Sequence, residues 1–222
     1  MSTRIKFCGI TRPADAELAV SLDAWAIGMI LWPGSPRAVS PDVAAGIAAD
    51  VRRKLEIAGV FVNPTLDEVT RSADVVGLTL VQLHGQEGPA FCAEVARRTG
   101  CRVIKAARVR GSADIQALAS FHTDFHLLDS YRRGQPGGTG EAFAWELVAG
   151  RRADAPLILS GGLTADNVAE AIRTVRPFAV DVASGVEASP GVKDANRTRE
   201  FARAVADTVR PLGDRSPSRL AT

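Results

Sequence analysis

Residues 157–187 read LILSGGLTADNVAEAIRTVRPFAVDVASGVE, and their pattern decides the fold. Two short apolar runs, Leu157 to Ser160 and Ala179 to Val182, have the aliphatic and β-branched composition of buried strands. Between them Ala165 to Thr174 reads as a helix, with Thr164 three residues before Asn167 as a capping signal. A strand, a helix and a second strand make a parallel pair, because a crossover is what parallel neighbours require. Each run ends on small residues, Gly161-Gly162 after the first and Ser184-Gly185 after the second. Such residues expose backbone N–H groups, and a short helix after the second loop would add its positive N-terminal end; both suit a phosphate.

Working outward, the same alternation fills the chain. Further strands are expected at Arg4 to Cys8, Ala24 to Leu31, Glu56 to Val62, Thr79 to Leu83, Arg102 to Ala106 and Phe125 to Asp129. Helices are expected at Pro13 to Leu22, Pro41 to Lys54, Leu66 to Ser72, Pro89 to Thr99, Ala113 to Ser120, Ala142 to Ala149 and Thr198 to Val209. Pro13 and Pro41 stand where a first-turn N–H needs no partner, and Ser40 precedes Pro41 as a cap. Eight strand–helix repeats favour a closed (β/α)8 barrel, since closure leaves no edge strand to protect. A doubly wound sheet would show about five or six strands and a G-x-G-x-x-G turn after the first. Only Cys8-Gly9 stands there. Residues 1–210 are therefore expected to form one α/β barrel domain, and 211–222, PLGDRSPSRLAT, a frayed tail with little to bury.

Bulk composition excludes several classes. Twenty-seven basic against 25 acidic side chains leave a formal charge of +2 in 222 residues, with no run of one sign, so no nucleic-acid partner is expected. No segment reaches the ~20 apolar residues of a membrane span, and the N-terminus lacks a secretory pattern, so a cytoplasmic protein is expected. Cys8, Cys92 and Cys101 share no ligand spacing, and His84, His122 and His126 are scattered; neither a metal nor a disulfide framework is expected.

In such a barrel the loops after the strands meet at one mouth, which is where chemistry belongs. Cys8 ends the first strand. A lone cysteine more often serves as a small buried hydrophobe, but at a strand end a thiolate can act as base or nucleophile. Asp129 ends the sixth strand behind Leu127-Leu128, where a carboxylate near the core needs partners and can serve as an acid. The following loop has four glycines in residues 134–140, among them Gly138 and Gly140. They either cradle a ligand with backbone N–H groups or form a mobile lid. Arg37 after Ser35-Pro36 offers a planar fork for a carboxylate, a surface arginine being the alternative. His84 after the fourth strand is a further mouth candidate. Asp181 reads as structural support.

Taken in order, Lys6-Phe7-Cys8-Gly9-Ile10-Thr11, Ser35-Pro36-Arg37, Val81-Gln82-Leu83-His84-Gly85, Asp129-Ser130, Gly137-Gly138-Thr139-Gly140, Ser160-Gly161-Gly162-Leu163 and Ser184-Gly185-Val186-Glu187 with Pro190-Gly191-Val192-Lys193-Asp194 closely resemble the phosphoribosylanthranilate isomerase family of tryptophan biosynthesis. The resemblance covers roughly residues 4 to 210 and implies a (β/α)8 barrel. It implies an Amadori rearrangement of N-(5-phosphoribosyl)anthranilate to 1-(2-carboxyphenylamino)-1-deoxyribulose 5-phosphate, without cofactor or metal. On it, Cys8 and Asp129 match the catalytic pair and Arg37 the arginine associated with the anthranilate carboxylate. Gly161, Gly162, Ser184 and Gly185 match the phosphate loops, and Gly138 and Gly140 the closing sixth loop. The working states would require the Cys8 thiol lowered and Asp129 raised from their ordinary pKa values. A phosphosugar synthase that closes an indole ring is the neighbouring alternative; it would bring a lysine acid to the mouth, and Lys6 and Lys105 lie on strands. A ligand-binding barrel without catalysis is the other. The partner implied is the small phosphosugar carrying anthranilate; monomer and homodimer both stay open.

Overall fold

The computed structural model describes residues 2–129, 140–149, 151 and 154–208. Eight parallel strands close in sequence order: β1 (Arg4–Cys8), β2 (Ala26–Ile30), β3 (Glu56–Phe61), β4 (Leu80–Leu83), β5 (Arg102–Arg108), β6 (Phe125–Asp129), β7 (Leu157–Ser160) and β8 (Ala179–Val182). The seam pairs β8 with β1, placing Asp181 beside Lys6. Helices α1 (Pro13–Ser21), α2 (Pro41–Ala49), α3 (Leu66–Val76), α4 (Pro89–Thr99), α5 (Ser112–Ala117), α6 (Gly140–Ala149), α7 (Val168–Val175) and α8 (Ala195–Asp207) follow the eight strands in turn. The fold is the expected (β/α)8 barrel. Among the described residues, no helix is long and apolar enough to cross a membrane. The segment expected to be a tail, 211–222, lies outside the described residues.

Strand residues alternate between two apolar cores, as the period of two requires. Ile5, Phe7, Ile27, Met29, Ile57, Val81, Leu83, Val103, Leu128, Leu159 and Val180 belong to the outer core, with Ala16, Ile47, Val69, Val95, Ile172 and Phe201 from the helices. The alternate positions, Ala26, Ala58, Leu80, Ile104, Leu127, Ile158 and Ala179, fill the barrel interior. Trp25, Phe125 and Phe178 sit together at the N-terminal ends of the strands, with ring centroids 5.1 to 5.3 Å apart. Toward the carboxyl ends, the interior positions become polar: Lys6, Cys8, Gln82, Asp129, Ser160 and Asp181. One end of the barrel is filled with apolar rings and the other carries ionisable groups.

Several boundaries moved for local reasons. Helix α2 stops at Ala49 rather than Lys54; Arg52 donates to the Ala48 carbonyl and Lys54 to that of Val51, so 50–54 form turns. Helix α3 runs past Ser72 to Val76, opened by a Thr65–Glu68 capping box and stopped by Gly77 at φ +70°. Helix α7 starts at Val168 rather than Ala165. Asn167 Oδ1 instead accepts from the Thr164 N–H at 2.9 Å while its Nδ2 donates to the Gly162 carbonyl at 3.0 Å, bracing the loop after β7. After β8 a single 3-10 turn, Ser184–Val186, leads into an unanticipated hairpin, β9 (Glu187–Ser189) with β10 (Val192–Lys193), too short to show any alternation in the sequence.

Lys105 alternates on β5 with Ile104 and Ala106 of the barrel interior and so faces outward, against the loop after β4. Its Nζ donates to the Gly85 carbonyl at 2.8 Å and to Glu87 Oε2 at 2.6 Å, and Lys105 and Glu87 are both buried. Glu87 also accepts from the Asn63 and Gly85 N–H groups, so the pair is well satisfied. This removes Lys105 as the lysine acid of the neighbouring alternative. Burial works against the Glu87 carboxylate, but the Lys105 hydrogen bond and the backbone donors win and hold it below the ordinary range. A depressed carboxylate contributes stability that is complete above about pH 4.3 and is lost as pH falls through the lower folded value. Lys105→Met, which strands a buried carboxylate, is expected to lower the unfolding free energy by about 3 kcal/mol and to flatten this acid-side loss. Urea melts of both proteins from neutral pH downward measure it; equal stabilities at neutral pH would refute it.

Candidate active site

Cys8 is the last residue of β1 and is 6% exposed, at the polar end of the interior. Two residues back on the same face of the strand, Lys6 is fully buried, and its Nζ donates to Asp181 Oδ1 at 2.7 Å across the seam. Asp181 Oδ2 accepts from Ser160 Oγ at 3.3 Å, and Ser160 is the register partner of Asp129. A polar chain thus runs round the barrel from β6 through β7 and β8 to Cys8. Burial pushes the Cys8 thiol up, and the Lys6 ammonium offsets this only in part. The working state needs the thiol lowered; in the free protein the desolvation of a nearly enclosed sulfur outweighs the neighbouring cation.

Asp129 ends β6 and faces His84, whose Nε2 lies 4.0 Å from Asp129 Oδ2. The Gln82 amide nitrogen stands 3.2 Å from His84 Nδ1. Burial pulls the His84 pKa below its ordinary value despite Asp129, which keeps the imidazole neutral at pH 7.

Arg37 reaches the mouth from the loop after β2, but its fork is already engaged. Nε donates to both Glu187 carboxylate oxygens at 2.8 and 3.0 Å, and Nη2 to Oε2 at 2.6 Å. A substrate carboxylate would have to use the remaining Nη1 end rather than the whole fork. Gly9, at φ +74°, permits this, since a Cβ there would come 2.7 Å from Arg37 Cδ. Glu187 also accepts from Lys193 Nζ at 3.1 Å, and the same ammonium donates to the carbonyls of Cys8 at 2.6 Å and Ala183 at 3.1 Å. Those three acceptors use all three Lys193 donors and clamp the ends of β1 and β8 to the hairpin. Burial works against the Glu187 charge, but Arg37 and Lys193 hold its pKa below the usual carboxylate range.

The loops after β7 and β8 do come together. Gly161 and Gly162 take φ of +100° and +64°, where side chains are strained. A Cβ at Gly185 would overlap the Leu163 carbonyl, so glycine lets the second loop close on the first. Ser184 begins the 3-10 turn between them and the hairpin. Gly140 is the first residue of α6, and Gly138 lies outside the described residues. Sequence reading placed Lys6, Glu187 and Lys193 within strand-end motifs without giving them a role in this site, and it gave none to Gly28. The strand period could have found Lys6, which shares a face with Cys8; Glu187 and Lys193 depend on a hairpin that the pattern did not reveal.

Known proteins are similar to this chain in sequence and fold. A family model described as N-(5'-phosphoribosyl)anthranilate isomerase matches residues 5–204. The N-(5'-phosphoribosyl)anthranilate isomerase of Pelobacter propionicus is 46% identical over 205 residues, covering 92% of this chain and 96% of the relative. That of Chromohalobacter salexigens is 48% identical over 211 residues, covering 94% and 97%. The crystal structure of phosphoribosyl anthranilate isomerase from Thermotoga maritima superposes with a TM-score of 0.82 at 38% identity, over 92% of this chain and 99% of that one. A phosphoribosyl anthranilate isomerase in complex with reduced 1-(o-carboxyphenylamino)-1-deoxyribulose 5-phosphate superposes at 0.80 with 36% identity, over the same shares. By matched length, identity and fold, this chain belongs to the N-(5'-phosphoribosyl)anthranilate isomerase family.

Proposed function

We propose that Cys8 and Asp129 divide between them the proton transfers of the Amadori rearrangement that this isomerase performs on N-(5'-phosphoribosyl)anthranilate. The observation that carries the assignment is their placement: a thiol and a carboxyl group end β1 and β6, at the polar end of an otherwise apolar interior. Asp129 in its acid form protonates the ribose ring oxygen. The bond from C1 to that oxygen breaks, and the anthranilate nitrogen lone pair makes the C1=N iminium. Cys8 as thiolate takes the C2 proton, and the C2–H electrons form the C1=C2 bond while the iminium nitrogen recovers its pair. The resulting enolamine then gains a proton at C1 and loses one from its C2 hydroxyl to give the ketone. The substrate's own nitrogen is the electron sink, so acid and base at the right places suffice.

The remaining groups position the substrate. Gly161, Gly162, Ser184 and Gly185 hold the phosphate through backbone donors in the paired β7 and β8 loops. Arg37, steadied by Glu187, meets the anthranilate carboxylate with its Nη1 end. Neutral His84 stands beside Asp129 and helps orient that carboxyl group. Gly138 and Gly140 belong to the loop that closes over the bound molecule.

Following loss of anthranilate fluorescence gives the rate. Cys8→Ser and Asp129→Asn are each expected to lower kcat by about 10²–10⁴-fold with the fold intact by circular dichroism; either variant turning over at the parent rate would dismiss that residue from its role. Arg37→Ala is expected to raise KM roughly 10- to 150-fold, the value of one charge-assisted hydrogen bond of about 1.5–3 kcal/mol. An unchanged KM would argue against the carboxylate contact.

A further inference from the structure

The chemistry above needs an anionic sulfur in a place that penalises anions. Burial pushes the Cys8 thiol up, so whatever favours the thiolate has to come from neighbouring charge. From its own strand Cys8 faces Lys6, from β8 Asp181, from β10 Lys193, and from the loop after β2 Arg37. Lys193 and Arg37 both pair with Glu187, and Lys193 spends its three donors on Glu187 and two carbonyls. Lys193 has no donor left for the sulfur, although its charge also favours the thiolate, and the open Nη1 end of Arg37 is taken by the substrate carboxylate in the proposed reading. Lys6 is different: its Nζ donates to Asp181 Oδ1 and also lies in hydrogen-bonding contact with the Cys8 thiol.

Geometry places that ammonium beside the thiol. Cys8 Sγ and Lys6 Nζ each stand 2.9 Å from the point where a Gly28 Cβ would begin. Gly28 has no left-handed backbone to explain it. Its register partner on β1 is Cys8, so the missing side chain is the space that sulfur and nitrogen share. Asp181 holds Lys6 in that slot from the opposite side, and together with Cys8 it keeps the buried ammonium protonated against a strong desolvation penalty.

We infer that Lys6 is a positioning residue for catalysis: its ammonium, seated by Asp181 and admitted by the bare face of Gly28, is the counter-cation of the Cys8 thiolate. This rests on Cys8 being the base. It makes a prediction that mere structural support does not, because the two members of the pair should act on Cys8 with opposite sign. Removing the cation makes the thiolate harder to form. Removing the carboxylate leaves Lys6 with the sulfur as its remaining anion and makes the thiolate easier to form.

The measurement is the pH titration of the ultraviolet thiolate absorbance, taken as the difference between each protein and its Cys8→Ser counterpart so that Cys92 and Cys101 cancel. Lys6→Met is expected to raise the Cys8 midpoint by about one unit or more, a tenfold loss of thiolate at a given pH, and to move the limb of the kcat/KM profile that the thiolate governs in the same direction. Asp181→Asn is expected to lower the midpoint. Gly28→Ala keeps every charge but wedges a methyl group between sulfur and nitrogen, and is expected to raise it. Should Lys6→Met fail to fold with Asp181 unpaired, Lys6→Met/Asp181→Leu removes both charges and is expected to raise it as well. An unmoved midpoint on loss of Lys6, or a shift in the same direction for Lys6→Met and Asp181→Asn, overturns the inference. Parent-level turnover in Cys8→Ser would instead overturn the assignment of the base, leaving the titration result standing.

Discussion

A lysine with no exposed surface, bound to an aspartate across the strand seam, is the constraint around which the polar end of this barrel is arranged. Taking both charges out of water costs several kcal/mol per ion, and their attraction offsets this only if the geometry is close and the remaining polar atoms find partners. The 2.7 Å contact supplies the first condition, and Ser160 on the second Asp181 oxygen contributes to the other. Because Lys6 and Asp181 are register partners, the pair also fixes how β8 meets β1. A slip of one residue would turn every side chain on the strand to the wrong core and strand both ions among helices. Hydrophobic pairs of equal volume would satisfy the packing as well. Charge at this position is therefore best explained by what lies above it.

A second charged group stands just outside the first. Glu187, on the hairpin, gathers Arg37 from the loop after β2 and Lys193 from β10, while Lys193 reaches the carbonyls ending β1 and β8. The hairpin behaves as a strap across the barrel seam. It secures the β1 terminus, and it uses one edge of the Arg37 guanidinium so that a single end points onward. A planar five-donor group on a long stem gains directional meaning only when part of it is held.

Much of this was legible in the chain and some of it was not, for definable reasons. The barrel was readable because eight apolar runs with small or polar terminators repeat too often for an open sheet. Cys8, Asp129 and the Gly161-Gly162 and Ser184-Gly185 loops were readable because they sit at strand ends, where the fold collects its loops. Arg37 was found but its state was not, since an ion pair to Glu187, 150 residues away in sequence, leaves no local signal. The enclosure of Cys8 left no local signal for the same kind of reason: the residues near a thiol in sequence do not show how completely the sulfur is covered. Helix α7 yielded its first turn because Asn167 serves the loop rather than the helix, a competition that capping rules cannot weigh from sequence.

Closing the strands in sequence order has a consequence for the reaction that neither the residues nor the loops carry alone. Around the mouth, Asp129 on β6 comes first, then the paired loops of β7 and β8, then Cys8 on β1, then Arg37 beyond β2. In the proposed reading, the phosphate lies between the acid on one side and the base on the other, and the carboxylate is held one strand past the base. A molecule fixed at those two ends must carry its ribose across the end of β1 and the centre of the mouth. The ring oxygen and C2 are then presented to different sides of the barrel. Acid and base would approach the sugar from separate strands, which a single strand end could not arrange. Lys6 and Asp181 lie one step deeper in the barrel than Cys8, so in this reading a buried ammonium stands beside the group on which the reaction requires an anion.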